Sequence, residues 1–206
     1  MPTMDSSRSD ARQHIIDTAK PIILGKGFSA VGLNEVLSAA AIPKGSFYHY
    51  FKSKELFGVA LLDSYFDDYL TQLDALLSHP GGTAAGRLMA YWQQWQESQV
   101  GECVDGRCLA VKLGGEVSDL SEAMRIALHR GTSRVIDRLA RGIREGLADG
   151  SLPSTLDAQQ TAQTLYETWL GATLLSKFRH DRSSLDGAMV ATRQWLQLPP
   201  GDTLSR

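Results

Sequence analysis

Gly27–Leu56 reads GFSAVGLNEVLSAAAIPKGSFYHYFKSKEL, and this stretch decides the fold. Two short helices are predicted within it, near Leu33–Ala40 and over Lys44–Tyr50, joined through Ala40-Ala41-Ile42. Pro43 stands where a fixed φ favours a helix start. Val36 and Leu37 on the first helix, with Phe47 and Phe51 on the second, supply a packed side. Lys44, Ser46, Tyr48, His49 and Tyr50 are then left to project outward. Adjacent aromatic and imidazole side chains are costly to leave in water without a use. Hydroxyls, an ammonium and helix N-terminal amides are donors suited to phosphates and base edges. A short helix also exposes its N-terminal end, where recognition helices meet bases. The pattern is therefore a helix-turn-helix, and its plain alternative is a helical hairpin whose aromatics complete a core.

Outward from this stretch the chain reads as helical almost throughout, with apolar residues recurring at three and four. The first helix is predicted over Asp10–Leu24, with Pro21 weakening one turn and Gly25 and Gly27 stopping it. Ser53 is read as the N-cap of a long helix to Leu77. Further helices are expected over Ala84–Ser98, from about Cys108, from Asp119 or Ser121 to Asp149, from the Asp157 cap to Arg179, and over Ser184–Leu196. His79-Pro80-Gly81-Gly82 and Pro199-Pro200 break the pattern. The fold class is all-α: a helix-turn-helix domain at 1–54 and a helical regulatory and dimerisation domain at 55–206.

Composition narrows the class. An apolar fraction of 43% and a charged fraction of 21% over 206 residues exclude wholesale disorder. No apolar run is long enough to span a bilayer, so no membrane partner is expected. The polar start MPTMDSSRSDARQH lacks the apolar core of a signal peptide. Two cysteines make no disulfide scaffold, and a cytoplasmic protein with reduced thiols is expected. Residues 1–55 hold five Lys and two Arg against three Asp and two Glu, a mildly basic head on a chain of net charge −2. That asymmetry suits a nucleic-acid module carrying a regulatory body. P-loop, HExxH and GxSxG patterns are absent, and no enzyme activity or cofactor is expected.

The segment from Phe28 to Leu56, with its core Tyr48-His49-Tyr50-Phe51-Lys52-Ser53-Lys54, closely resembles the N-terminal domain of the TetR family of bacterial transcription repressors. The resemblance implies a homodimer on double-stranded, pseudo-palindromic operator DNA, released when an effector acts on the body. It makes Lys44, Ser46, Tyr48, His49 and Tyr50 the DNA contacts of the recognition helix, with Lys54 reaching a phosphate. The family often has a capping Thr and then a basic residue on the preceding helix. Gly32 and Asn34 hold those places here, so Gly32 offers no side-chain oxygen and Asn34 is the expected phosphate contact.

Gly106–Arg125, GRCLAVKLGGEVSDLSEAMR, and Leu165–Lys177, LYETWLGATLLSK, resemble an electrophile-responsive branch of that family. This implies a sensor of small electrophiles or oxidants that controls detoxifying enzymes. Cys108 follows Arg107 and lies four residues before Lys112, and nearby cations and a helix N-terminus favour the reactive thiolate. The bland reading of Cys108 is a small buried hydrophobe. Cys103 is either a resolving thiol for a sulfenic acid on Cys108 or a bystander, since Glu102 beside it disfavours the thiolate. Two cysteines at C-x4-C lack the second ligand pair of a zinc site, so no metal is expected. The resemblance also puts Lys177 where a nitrogen could capture an oxidised sulfur as an S–N bond. The alternative is a lysine complementing a helix C-terminus.

Leu165, Trp169 and Ala172 lie on one predicted helix face, and Met189 and Trp195 on another. Both faces are expected at a homodimer interface, the alternative being burial inside one subunit. The aromatic residues Tyr91, Trp92, Trp95 and Tyr166 form either plain core or a ligand pocket. Three functions compete: a thiol-switched repressor, a repressor with a reversibly bound inducer and a structural Cys108, and a thiol enzyme. The last wants C-x-x-C and a nearby proton relay, which this chain lacks.

Overall fold

The computed structural model describes residues 4–99 and 109–199. All regular elements among them are helical: α1 (Met4–Lys26), α2 (Leu33–Ala39), α3 (Phe47–Tyr50), α4 (Lys54–Leu77), α5 (Ala84–Ser98), α6 (Leu109–Leu120), α7 (Glu122–Ala148), α8 (Ala158–Arg179) and α9 (Ser183–Trp195). The all-α architecture expected from the pattern is what forms. A 3-10 turn over Lys44–Ser46 leads into α3, because the Pro43 carbonyl accepts the Ser46 N–H at 2.9 Å.

Two compact units divide the chain. One takes the residues up to Tyr69 and those from Leu109 to Thr132; the other takes Leu70–Gln99 and the residues from Ser133 onward. The residues 15–55 that hold the helix-turn-helix pattern all lie in the first.

In the first unit, α1 buries Ile15, Ile16, Ala19 and Ile23 along one face. It starts earlier than the apolar period indicated, since polar residues extend a helix without marking a face. It runs through the exposed Pro21, which lies inside the helix as expected. Lys20 pairs with Asp17 at 3.2 Å and with Asp68 at 2.5 Å beside that position. Gly27, at φ +93°, ends the helix and donates to the Ile23 carbonyl at 2.8 Å. A second glycine is needed where α4 and α7 meet: a Cβ on Gly131 would lie 2.0 Å from the Phe66 ring. α6 buries Leu109, Leu113 and Val117 as a single stripe at four-residue spacing. Gly114 and Gly115 stand side by side in that helix, and a Cβ on either would meet nothing within 4 Å.

The second unit is organised by α8 and α9 around an aromatic core. Trp92 stacks on Trp169 with ring centroids 5.2 Å apart and an interplanar angle of 15°. The Trp169 indole N–H donates to Thr192 Oγ1 at 2.8 Å, and that of Trp95 to Thr173 Oγ1 at 2.9 Å. Local chemistry fixes the helix starts. Thr83 Oγ1 accepts from the Gly86 N–H at 3.1 Å, and Asp157 Oδ1 from the Gln160 N–H at 2.9 Å.

Candidate nucleic-acid interface

The helix-turn-helix is built on packed phenylalanines. Phe47 and Phe51 have ring centroids 5.4 Å apart, and Phe57 lies 5.8 Å from Phe47 and 5.0 Å from Phe51. Val36 and Leu37 of α2 are buried in the same unit. The turn between the helices bends at Ala41, whose φ of 54° puts a non-glycine residue in the left-handed region. The Ile42 N–H closes it on the Leu37 carbonyl at 2.9 Å.

With the phenylalanines inward, Lys44, Tyr48 and His49 are exposed, and Ser46 and Tyr50 are half-buried. Tyr48 keeps 69% of its surface in solvent while its ring meets Phe47 edge-on at 5.4 Å. His49 and Tyr50 pack edge to face at 5.3 Å. Of the expected DNA-contact residues, Lys44 and Ser46 lie in the 3-10 turn and Tyr48, His49 and Tyr50 on α3 that follows it. Asn34 is exposed on the first turn of α2.

Lys54 was expected at a phosphate. Its Nζ donates to the Val31 carbonyl at 2.9 Å and lies 5.0 Å from the centre of the Phe28 ring. One of the three donors of its ammonium is thus used to hold the loop between α1 and α2 to the start of α4.

The pairing of cations in this unit is uneven. Lys20 meets Asp17 and Asp68, Lys26 meets Glu35 at 2.5 Å, Arg125 meets Glu122 at 2.6 Å, and Arg130 meets Asp63. Among the residues of this unit whose side chains are described, Arg12, Lys44 and Lys52 are exposed with no carboxylate partner. Arg12 instead lies over the Phe51 ring at 5.1 Å. No local signal singles it out, because its neighbour in space is 39 positions away in the chain.

A second arrangement ties α6 to the same domain. Glu116 accepts the Ser29 N–H at 2.6 Å and the Phe28 N–H at 3.2 Å. Partial burial pushes its carboxyl pKa up, but the hydrogen bonds from Ser29 and Phe28 and the charge of Lys112 outweigh this and hold it below the ordinary value. A Cβ on Gly27 would come 3.1 Å from Glu116 Oε2, so the carboxylate sits close over that glycine. Lys112 Nζ reaches the Gly25 carbonyl at 3.5 Å. Ser121 donates to Glu55 and caps α7, accepting the Met124 N–H at 3.2 Å. Apart from the Ser121 cap, none of these contacts has a local sequence signal.

Cys103 and Cys108 lie outside the described residues. α6 is described from Leu109, whose N–H donates to the Tyr65 hydroxyl at 3.4 Å. Lys177 is half-buried near the end of α8. Of the residues expected at a dimer interface, Leu165, Trp169 and Ala172 are buried within the single chain, with Trp169 fully enclosed. Met189 is half-buried and Trp195 exposed. Leu174, Leu175 and Phe178 of α8 and Val190 of α9 are exposed as well, a set the periodicity did not select. Tyr91, Trp92, Trp95 and Tyr166 are buried. No grouping of His, Cys, Asp or Glu among the described residues could hold a metal ion. None of the described helices is long and apolar enough to cross a membrane.

Known proteins share this arrangement. Residues 15–57 match the bacterial regulatory proteins of the tetR family, and residues 84–192 match the tetracyclin repressor-like C-terminal domain. The chain is 38% identical over 190 residues to the HTH-type transcriptional repressor NemR of Escherichia coli K12, covering 92% of this chain and 96% of that protein. It is 30% identical over 200 residues to the HTH-type transcriptional repressor DhaR of Mycobacterium sp. strain GP1, covering 97% of this chain and 98% of that one. The crystal structure of the reduced form of E. coli NemR matches with a TM-score of 0.84 and 40% identity, over 90% of this chain and 96% of that one. A helix-turn-helix on packed phenylalanines, followed by a helical body alike over nearly its whole length, places the chain in the TetR family of bacterial transcriptional regulators.

Proposed function

We propose that the chain is a homodimeric repressor that leaves operator DNA when a small electrophile or oxidant reacts at Cys108. The observation that carries this reading is the Glu116 carboxylate on the backbone of Ser29 and Phe28. It joins the helix that follows Cys108 to the loop that orients the helix-turn-helix. Likeness to NemR, whose crystal form is described as reduced, supports a thiol as the sensor.

In the reduced dimer, Lys44, Ser46, Tyr48, His49 and Tyr50 meet the major groove, and Asn34 and a remaining Lys54 donor meet phosphates. The exposed face of Leu174, Leu175, Phe178, Val190 and Trp195 suits a second copy of the chain, which would remove those side chains from water. With an alkylating reagent, the Cys108 thiolate adds to the activated double bond, and a proton from water goes to the neighbouring carbon. With hypochlorite, the sulfur takes chlorine and hydroxide leaves. An amine such as that of Lys177, or the thiol of Cys103, then displaces chloride and loses a proton. Either product changes packing at the start of α6. A bias of about 3 kcal/mol between two states of the dimer weakens DNA binding more than a hundredfold.

A reversibly bound inducer is the second reading. One observation favours it: the buried indole N–H of Trp92 has no hydrogen-bond partner. An unmet donor in an aromatic core suits a ligand that brings an acceptor.

Fluorescence anisotropy on DNA from upstream of the gene separates the two. Wild type and Cys108→Ser are titrated with and without N-ethylmaleimide or hypochlorite. Release of wild type with retention of Cys108→Ser is the expected result. If both stay bound under both reagents, the thiol reading is wrong and the inducer reading stands.

A further inference from the structure

We propose that Arg12 of α1 is a DNA phosphate contact, and that α1 therefore joins the interface formed by α3. This rests on the reading of α3 as the recognition helix.

Three observations converge on it. The first is the pairing of charge. Cations elsewhere in the unit face carboxylates or carbonyls, as Lys20, Lys26, Arg125, Arg130, Lys54 and Lys112 do. The exposed cations left without a carboxylate, Arg12, Lys44 and Lys52, gather around α3. Lys44 opens the turn before α3, Lys52 follows Phe51 just beyond it, and Arg12 reaches the same end through the Phe51 ring. A unit that engages its other described cations but leaves these three in solvent suits a polyanion there.

The second is rigidity. Arg12 lies 5.1 Å over Phe51, which is 3% exposed and wedged between Phe47 and Phe57. A guanidinium stacked on a fixed ring loses little further freedom when it binds, and its N–H edges stay available to acceptors in its plane. The third is chain position. Phe51 directly follows Tyr50, the last residue of α3, so Arg12 stands at the C-terminal end of that helix. A phosphate flanking the bases read by α3 is the acceptor that fits a forked donor there.

The test uses the full-length chain and a duplex that wild type enriches from a random-sequence pool. Dissociation constants are measured over a range of salt for wild type, Arg12→Gln, Arg12→Lys and Arg125→Gln, with thermal unfolding of each. Arg12→Gln should make the slope of log K against log salt shallower by about 0.9 per subunit, hence about 1.8 for a dimer. Its loss of affinity should be equal on the selected and a scrambled duplex. Arg12→Lys should keep the slope, and Arg125→Gln, with the same loss of charge far from α3 in sequence, should leave it unchanged. An Arg12→Gln slope equal to wild type, with a lowered melting temperature, overturns the proposal: Arg12 then only covers Phe51. Failure of wild type to enrich any duplex defeats the reading of α3 itself, and Arg12 falls with it.

Discussion

Glu116 and Ser29 are 87 positions apart in the chain, and the carboxylate of one accepts the backbone N–H of the other at 2.6 Å. α6 thereby holds the loop between α1 and α2. Removing the carboxylate leaves two backbone donors short of their partner, Ser29 and the part-buried Phe28. Hydrogen bonds to a charged group contribute about 1.5–3 kcal/mol. Glu116→Ala should therefore lower stability by about that amount, measured by urea unfolding. It should also leave DNA binding less sensitive to N-ethylmaleimide, because α6 no longer grips the loop. An unchanged response would show that the signal travels by another route.

The same carboxylate sets a pH limit. Its pKa is held below the ordinary value in the folded protein. A group with a depressed folded pKa contributes stability above its unfolded pKa, near 4.3 for glutamate, and loses it as pH falls through the folded value. The contribution of Glu116, taken as the difference between wild type and Glu116→Gln, should be constant from about pH 6 to 8 and shrink below about pH 4. A difference that shrinks between pH 6 and 8 instead would mean that Glu116 is not the titrating group.

Ala41 carries avoidable strain. A left-handed conformation costs an L-residue roughly 1–2 kcal/mol, and glycine adds back about 0.5–1 kcal/mol of unfolded-state entropy. Ala41→Gly should then stabilise the chain by about 0.5–1 kcal/mol, a rise of a few degrees in melting temperature. DNA affinity should be unchanged, since the turn keeps its geometry. A fall in melting temperature would contradict the assigned backbone.

Tyr48 separates reading from packing. With 69% of its surface exposed, Tyr48→Ala should alter stability by no more than about 0.5 kcal/mol. Its affinity for a selected operator duplex should nevertheless drop about tenfold or more, roughly 1.4 kcal/mol. Full affinity in that variant would remove Tyr48 from the interface.

The buried and the exposed apolar residues of α8 and α9 should behave in opposite ways. Trp169→Ala empties a fully enclosed site and should cost about 3–5 kcal/mol of folding stability. Changing the exposed pair Phe178 and Val190 to Asp should leave helix content intact but convert a dimer to monomers in sedimentation. A variant that sediments as wild type would locate the dimer face elsewhere.

Local chemistry was legible in the sequence. The bounds of α5, the Asp157 cap and the stop at Gly27 follow from a few neighbouring residues. The outward set on α3 was legible for the same reason, since Phe47 and Phe51 leave their neighbours one face. Arg12 on Phe51 and Glu116 on Ser29 were hidden, because tertiary pairs across dozens of residues leave no period. The stripe of Leu165, Trp169 and Ala172 was visible, but its destination was not. An apolar helix face needs cover, and periodicity does not say whether the cover comes from the same chain or from a partner.

Gly114 and Gly115 give α6 a particular character. Neither added methyl would touch anything, so the pair is not demanded by crowding, and each glycine costs a helix about 1 kcal/mol relative to alanine. α6 is thus held by its buried stripe and by Glu116, with little intrinsic helicity in reserve. Under the proposed thiol switch such a segment would act as a fuse, giving way at its start while the rest of the fold carries on. Replacing both glycines by alanine should slow hydrogen exchange along α6 and yield a sturdier protein that answers its effector poorly. Sensitivity, in this reading, is set by how weakly one helix was made.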